Sequence, residues 1–546
     1  MTKKKQSTAA EVSVFINKGF RKIAGRFMTL YVLLILCVFP FLTHDAYFDI
    51  LETRFRGFWT WTLGMGVIML LLGITYLISD RIYAGGIGGR AFFALWNPKH
   101  FRDRLKLHLL PTDIPFVLLI LIYLISMALS GYPYETWWGN RGRYMGVLMW
   151  LMLFLAYVCI TRLYRFRRWH LYAFLLAGLA ICLWGITDFF ELNVFGFFDE
   201  VPDRKYWIIF AASIGNINSY TSYLAILVAV SMALFVRAEK LPECLFALLV
   251  FCVSNQAMIC GMSDNAVFTY SMLYAAAPLI LWRERRHVLR TGICLLITML
   301  AMRLGGIWIT TPGLDTINQD YNNGVLITIG TYSAFWIPIL ALGILLLIYG
   351  LLNRKSMGQT LTKLPKRLWI GFLVLVLAAI AAVLIDANAG NHADLWQPFS
   401  GFLYFNDQWG TGRGFAWRMA LTYFTKDMPI LQKFFGYGPD SYYMITMDNY
   451  FQDMVNAGYG MFDSAHNEYL NYLMTIGIAG LLTYLWLCLR FLKSWWKRAQ
   501  TEPLYYAPML MLLAYGAQAF INICVPIVYP ILAVLMFALM AGEKEA

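Results

Sequence analysis

Charged side chains are scarce. Asp, Glu, Lys and Arg together make up 14% of the 546 residues, while 60% are apolar, against about half in an ordinary globular chain. So little charge excludes a soluble multidomain protein, whose surface needs more polar cover than this chain can supply, whereas a bilayer takes up apolar surface readily. Cysteine pairing is missing as well. None of the nine cysteines is spaced as CxxC, and all lie in or beside apolar runs, which excludes a thiolate metal centre and a disulfide scaffold and leaves small core residues. No small-residue cleavage site follows the first apolar run, near 27–42, so a retained first span is expected and not a removed signal peptide. Long blocks of like charge are also lacking. The net charge of +13 is spread over short clusters between apolar runs, which excludes nucleic acid as the partner and fits cytoplasmic loops held against anionic headgroups.

What is present is a series of apolar runs long enough to cross a core of about 30 Å. They fall near 27–42, 58–79, 113–130, 144–161, 171–188, 207–236, 242–259, 265–282, 291–309, 330–352, 368–385, 470–489, 505–523 and 526–541. The expected fold is therefore all-α, a polytopic transmembrane helical bundle of about 14 spans. The sixth run is long enough to include a re-entrant stretch. With the N-terminus in the cytoplasm, 33 of the 44 lysines and arginines fall inside, the asymmetry of a cytoplasmic face. Both termini are then cytoplasmic. The expected organisation is spans 1–11 over residues 1–385, one large extracytoplasmic loop over 386–470 that contains short helices, and spans 12–14 over 471–546. A loop of that length, rich in Gly and aromatics and neither low-complexity nor strongly charged, is not a linker and is expected to fold back over the outer face.

The loop ends on Asp463-Ser464-Ala465-His466-Asn467-Glu468-Tyr469-Leu470 and runs on to Gly477 and Gly480. This is His-Asn, nine residues, Gly, two residues, Gly, at the point where the loop meets a span. Taken alone it also fits a helix-capping polar cluster with two packing glycines. Upstream stand Gly412-Arg413-Gly414-Phe415-Ala416-Trp417-Arg418, then Asp427-Met428-Pro429, then Phe435-Gly436-Tyr437-Gly438. This ordered set resembles the bacterial O-antigen ligase and O-antigen polymerase superfamily: Arg, three residues, Trp; an Asp-x-Pro segment; Gly-x-Gly; His-Asn before a span. Two earlier segments look like the same family, Trp138-Gly139-Asn140-Arg141-Gly142-Arg143-Tyr144-Met145-Gly146 and Gly215-Asn216-Ile217-Asn218 with Tyr223-Leu224. The resemblance covers roughly 130–540.

The resemblance implies a GT-C-like membrane glycosyltransferase that works at the outer face of the bacterial inner membrane without a metal or other cofactor. Its expected partners are an undecaprenyl-pyrophosphate-linked glycan, the bilayer, and an acceptor hydroxyl on a lipid, a glycan or a protein. The residue types suit that chemistry. Arginine supplies fixed positive charge in forked donors to a pyrophosphate, and the externally placed candidates are Arg141, Arg143, Arg303, Arg413 and Arg418. Histidine titrates in the range needed to take a proton from an attacking hydroxyl, which makes His466 the expected base or acceptor-orienting residue. Asn467, Trp417, Gly436, Gly438, Gly477 and Gly480 support the motif, with Trp417 either stacking on a sugar or packing. Arg303 stands inside an apolar run, where an ionisable group is costly and points to a function. The sequence departs from the family at Ser263-Asp264-Asn265, where the pattern carries an arginine after the hydroxyl residue, and at Ile217, where it carries proline. Arg303 taking over that role, a different donor chemistry and binding without catalysis are the open alternatives. A lipid-linked oligosaccharide flippase and a non-catalytic envelope-assembly scaffold are the competing functional classes.

Overall fold

The structure, a computed structural model, describes residues 3–93, 109–139, 143–317, 324–397 and 400–541. Each of the fourteen apolar runs coincides wholly or in part with helix there. The principal helices are α1 (Lys3–Leu33), α2 (Ile50–Tyr83), α3 (Asp113–Ala128), α4 (Val147–Leu163), α5 (Arg168–Phe189), α6 (Ile217–Arg237), α7 (Leu241–Cys260), α8 (Asn265–Leu281) and α9 (Arg285–Thr310). They continue with α10 (Trp336–Asn353), α11 (Leu364–Ala389), α12 (Trp409–Thr422), α13 (Tyr442–Asn456), α14 (Glu468–Thr475), α15 (Gly477–Ala499), α16 (Tyr506–Gln518) and α17 (Tyr529–Ala541). Eight helices among the described residues are long and apolar enough to cross a membrane, and α3, α4, α8 and α17 are shorter apolar helices beside them. The chain is a polytopic helical membrane protein.

Burial sorts these helices into centre and rim. α6 is apolar and buried nearly all round, packed between α7, α8, α9 and α16, as a helix with no polar face must be in the middle of a bundle. At the other extreme, no residue in the apolar window of α11 is buried. That helix is attached to α8 at its N-terminal end, where the Trp369 indole donates to the Ala275 carbonyl at 3.0 Å and Lys366 donates to that of Leu279 at 2.8 Å. Its remaining surface suits lipid tails.

Three expected runs are interrupted, and the tenth, expected over 330–352, breaks at the extended Tyr332 between the short helix Val325–Thr331 and α10. The sixth, expected over 207–236, is α-helical only from Ile217. Before it lies a 3-10 turn and then the one two-stranded sheet among the described residues, β1 (Phe210–Ala211) antiparallel to β2 (Gly215–Asn216). The buried Asp188 carboxylate at the end of α5 accepts from the Ala212 N–H at 2.7 Å and pins this hairpin. The twelfth run, expected over 470–489, breaks between α14 and α15, where Gly477 takes φ +70°.

The 386–470 segment opens with the last turn of α11 and is itself folded. Phe415 and Met419 of α12 pack on Met454 of α13. Tyr423, Met428, Tyr442, Ile445 and Ala465 form a second small core with Leu470 and Met474 of α14. The loop is thus continuous with the helix that follows it, which fixes the chain around His466.

Candidate active site

His466 sits on a tight turn just ahead of α14, with its backbone in the left-handed region at φ +46°. Three contacts hold it there. The Ser464 hydroxyl oxygen accepts from the His466 N–H at 3.4 Å, and the buried Asn467 caps α14, its Oδ1 accepting from the Leu470 N–H at 3.0 Å. An N-cap side chain of this kind satisfies one of the free donors of a helix start. The Trp417 indole N–H then donates to the carbonyl of Ala465 at 2.8 Å, and its ring packs edge-on to Phe520. Trp417 therefore clamps the histidine turn and is not a free stacking face.

Arg143 and Arg413 are the two cations whose charge reaches His466. Arg143, in the segment before α4, pairs with Asp463 at 2.7 Å. It also lines a small polar cavity of about 20 Å3 with Asp440, Ser464 and Glu468. Arg413 has no carboxylate in contact among the described residues. Its guanidinium donates to the carbonyls of Gly410 at 2.7 Å and Ile521 at 3.2 Å, and burial lowers its pKa, opposed by the charge of Asp264. Burial pushes the His466 pKa down from 6.5 to about 4, the charges of Arg143 and Arg413 add to the fall, and Asp463 opposes it. The imidazole is consequently neutral at pH 7. Neither ring nitrogen has a hydrogen-bond partner among the described residues.

The four motif glycines act at the break between α14 and α15. Gly436 and Gly477 bring two backbones together. A Cβ on Gly436 would meet the Thr475 carbonyl oxygen at 2.1 Å, and one on Gly477 would meet the Phe434 carbonyl carbon at 2.3 Å. Both also have positive φ, +76° and +70°, which a side chain resists. The Gly438 N–H donates to Thr475 O at 2.9 Å, an oxygen that also accepts from the Ser126 hydroxyl of α3 at 2.9 Å. A Cβ on Gly480 would press on Ile476 at 2.5 Å. The Gly-Tyr-Gly segment thus docks onto the helix break and fixes the register of α14, and with it His466.

The other arginines are used elsewhere. Arg303 donates to the carbonyls of Gly330 at 2.7 Å and Thr331 at 3.3 Å, at the C-terminal end of the short helix Val325–Thr331. The N-terminal end of the same helix is held by Asp264, whose carboxylate accepts from the Val325 N–H at 2.9 Å. An acid at the start and a cation at the end both complement the helix dipole. The two departures singled out in the sequence, the aspartate in place of an arginine and the arginine inside an apolar run, are therefore the two ends of one clamp. The Arg303 guanidinium is engaged by the backbone carbonyls of that helix, and it is not among the charges that act on His466. Arg418 is exposed and forms a double hydrogen bond with Asp407 at 2.7 Å, which holds that carboxyl below the usual carboxylate range. Its charged neighbours are Asp407 and Asp453, not His466. Arg141 lies outside the described residues.

Sequence reasoning missed Asp463, the partner of Arg143, although it stands inside the quoted motif. It also missed a polar knot behind Arg413. The Ser263 hydroxyl donates to Asn218 Oδ1 at 2.7 Å, and the Asn522 amide donates to the Ser222 hydroxyl at 2.9 Å. Asn522 follows Ile521, whose carbonyl holds Arg413, and nothing in its local sequence marks it.

Residues 324–485 match the family model described as O-antigen ligase. No curated protein matches the chain. The O-antigen ligase segment begins at the clamped helix Val325–Thr331 and ends within α15, so it contains Arg413, Trp417, His466 and the four glycines, while Arg143 and Arg303 precede it. The resemblance read from the motifs is thus shown over that segment. The family implies a membrane glycan ligase or polymerase that handles lipid-linked glycans.

Proposed function

We propose that the protein is a glycosyltransferase of the O-antigen ligase type. It transfers or polymerises a glycan from an undecaprenyl-pyrophosphate donor onto a hydroxyl acceptor at the outer face of the bacterial inner membrane, for cell-surface polysaccharide assembly. Both termini are cytoplasmic in this reading, as the distribution of Lys and Arg favours. The observation that carries the reading is a neutral histidine whose ring nitrogens have no hydrogen-bond partner among the described residues and which lies in the field of Arg143 and Arg413. Electropositive surroundings receive the diphosphate. The acceptor hydroxyl gives its proton to His466 as its oxygen bonds to the anomeric carbon, and the carbon–oxygen bond to the pyrophosphate breaks with the electron pair on the leaving group.

The same charges give the base a timing. While Arg143 and Arg413 are unpaired with donor, they depress the basicity of His466. A diphosphate between them cancels part of that field and raises the histidine pKa, so the base strengthens when the donor is in place. Asp264 does not argue for a scaffold, because its carboxylate has a structural partner in Val325. Trp417 is a positioning residue, and Arg303 and Arg418 lie outside the reaction.

The test is transfer by the purified protein in liposomes, supplied with its lipid-linked glycan and acceptor. His466→Ala is expected to lower the rate by at least about a hundredfold, the usual range for a lost general base, with insertion and melting temperature unchanged. Normal transfer by that variant would remove the mechanism, and unchanged glycan delivery without any transfer by the wild type would favour a flippase or scaffold.

A further inference from the structure

Arg418, which the histidine site does not use, borders a cleft of about 340 Å3 on the loop. That lies within the size range of small-molecule sites. One wall is a stripe of α12, Phe415, Arg418, Met419 and Thr422, spaced so that they share a helix face. The other is the C-terminal part of α13, Tyr450, Asp453 and Asn456, with its capping residue Ala457. The apolar part of the lining is Phe415, Met419 and Ala457, with the Arg418 guanidinium over the Phe415 ring. The rim is polar, and much of it is unengaged: the Thr422 and Tyr450 hydroxyls and the Asp453 carboxylate make no hydrogen bond among the described residues.

We propose that this cleft is a saccharide-binding site, separate from His466. A sugar ring has an apolar C–H face and an equator of hydroxyls, which matches an apolar lining beside a rim of donors and acceptors. Charge narrows the class. Two carboxylates, Asp407 and Asp453, stand against one guanidinium, and Arg418 is already held by Asp407. The cleft therefore disfavours a diphosphate or a uronic acid and takes a neutral or amino sugar, whose hydroxyls or ammonium the carboxylates accept from. The lipid tail is excluded by the same rim. The inference rests on the glycan-transfer reading only for the source of the sugar, which is either the growing acceptor or the donor glycan.

The experiment is saturation-transfer NMR on the full chain in nanodiscs, with empty discs as the control. The probes are methyl glucoside, methyl galactoside, glucosamine, glucuronate and the glycan released by mild acid from the host's lipid-linked donor. Transfer is expected to the released glycan and to at least one neutral or amino sugar, but not to glucuronate. The Thr422→Ala/Asp453→Ala double variant, whose substitutions remove rim groups that make no hydrogen bond among the described residues and leave the Arg418–Asp407 pair in place, is expected to bind about tenfold more weakly, the effect of losing a charge-assisted hydrogen bond, with an unchanged melting temperature. His466→Ala is expected to bind sugar normally, so loss of transfer and loss of sugar binding are read separately. If the double variant raises KM for the acceptor, the cleft holds the acceptor glycan; if it raises KM for the donor, it holds the donor glycan. No transfer to any neutral or amino sugar or to the released glycan, or equal binding by the double variant, overturns the proposal.

Discussion

Replacing Trp417 by Phe separates the two things an indole can do beside this site. Phenylalanine keeps an aromatic face and the edge contact to Phe520, whose ring centre lies 5.3 Å away. It removes only the N–H that donates to the Ala465 carbonyl at 2.8 Å. Ala465 is fully buried, so its carbonyl is left without that donor. Losing such a bond costs about 1 kcal/mol net, and stranding the buried partner brings the total to about 1–3 kcal/mol. That loss falls on the turn that aims His466. At about 1.4 kcal/mol per factor of ten, kcat should drop about tenfold to a hundredfold, with KM for the glycan within about twofold of the wild type. Steady-state transfer at saturating and limiting glycan, with a melting curve on the same preparation, reads all three quantities. If Trp417→Phe transfers at the normal rate while Trp417→Leu raises KM, the indole stacks on sugar and the clamp is wrong.

Further outcomes are expected. The acid limb of kcat/KM should lie near pH 4, because the neutral imidazole is the active form and is lost as pH falls through the depressed pKa; the limb of kcat, measured with donor bound, should lie higher, and coincident limbs would remove the arginine–diphosphate coupling. Gly436→Ala should abolish folded protein in the membrane, since its Cβ would lie 2.1 Å from the Thr475 oxygen, whereas Gly371→Ala, with nothing within 4 Å, should be neutral; detergent-extracted yield and gel-filtration profile report both. Arg303→Leu should lower the melting temperature through loss of the helix clamp, at about 1–3 kcal/mol for carbonyls that lose a charged donor, and leave donor KM unchanged; a selective rise in donor KM would return Arg303 to the site.

The membrane fold was legible because its signal is local: an apolar run is its own argument for a helix. The breaks were not, because they depend on partners distant in sequence. Nothing around Phe210 announces that Asp188 will hold its neighbour, and the α14–α15 break needs Gly436 on one side and Gly477 on the other, forty-one residues apart. That Arg413 and Asn467 would stand close to His466 was legible from motif order. Arg418 instead pairs with Asp407, and the sequence carries a cue for the separation: five residues after Arg413 on a helix, it points roughly 140° away at 3.6 residues per turn, whereas Trp417, four residues on, shares the face. For Arg303, charge inside an apolar run suggests function, while the carbonyls that engage it lie on a separate short helix that the run does not announce.

The left-handed backbone at His466 has one more consequence. A residue with a side chain held at φ +46° sits about 1–3 kcal/mol above a relaxed one, and the burial that keeps its ring neutral adds a penalty wherever the medium is acidic. Glycine or asparagine would suit that backbone better. Selection for heat or acid tolerance alone would therefore drift away from histidine at this position. A library screened for robust membrane expression and not for glycan transfer will tend to lose the proposed base, and a thermostabilised variant meant to test that proposal needs position 466 held fixed by design.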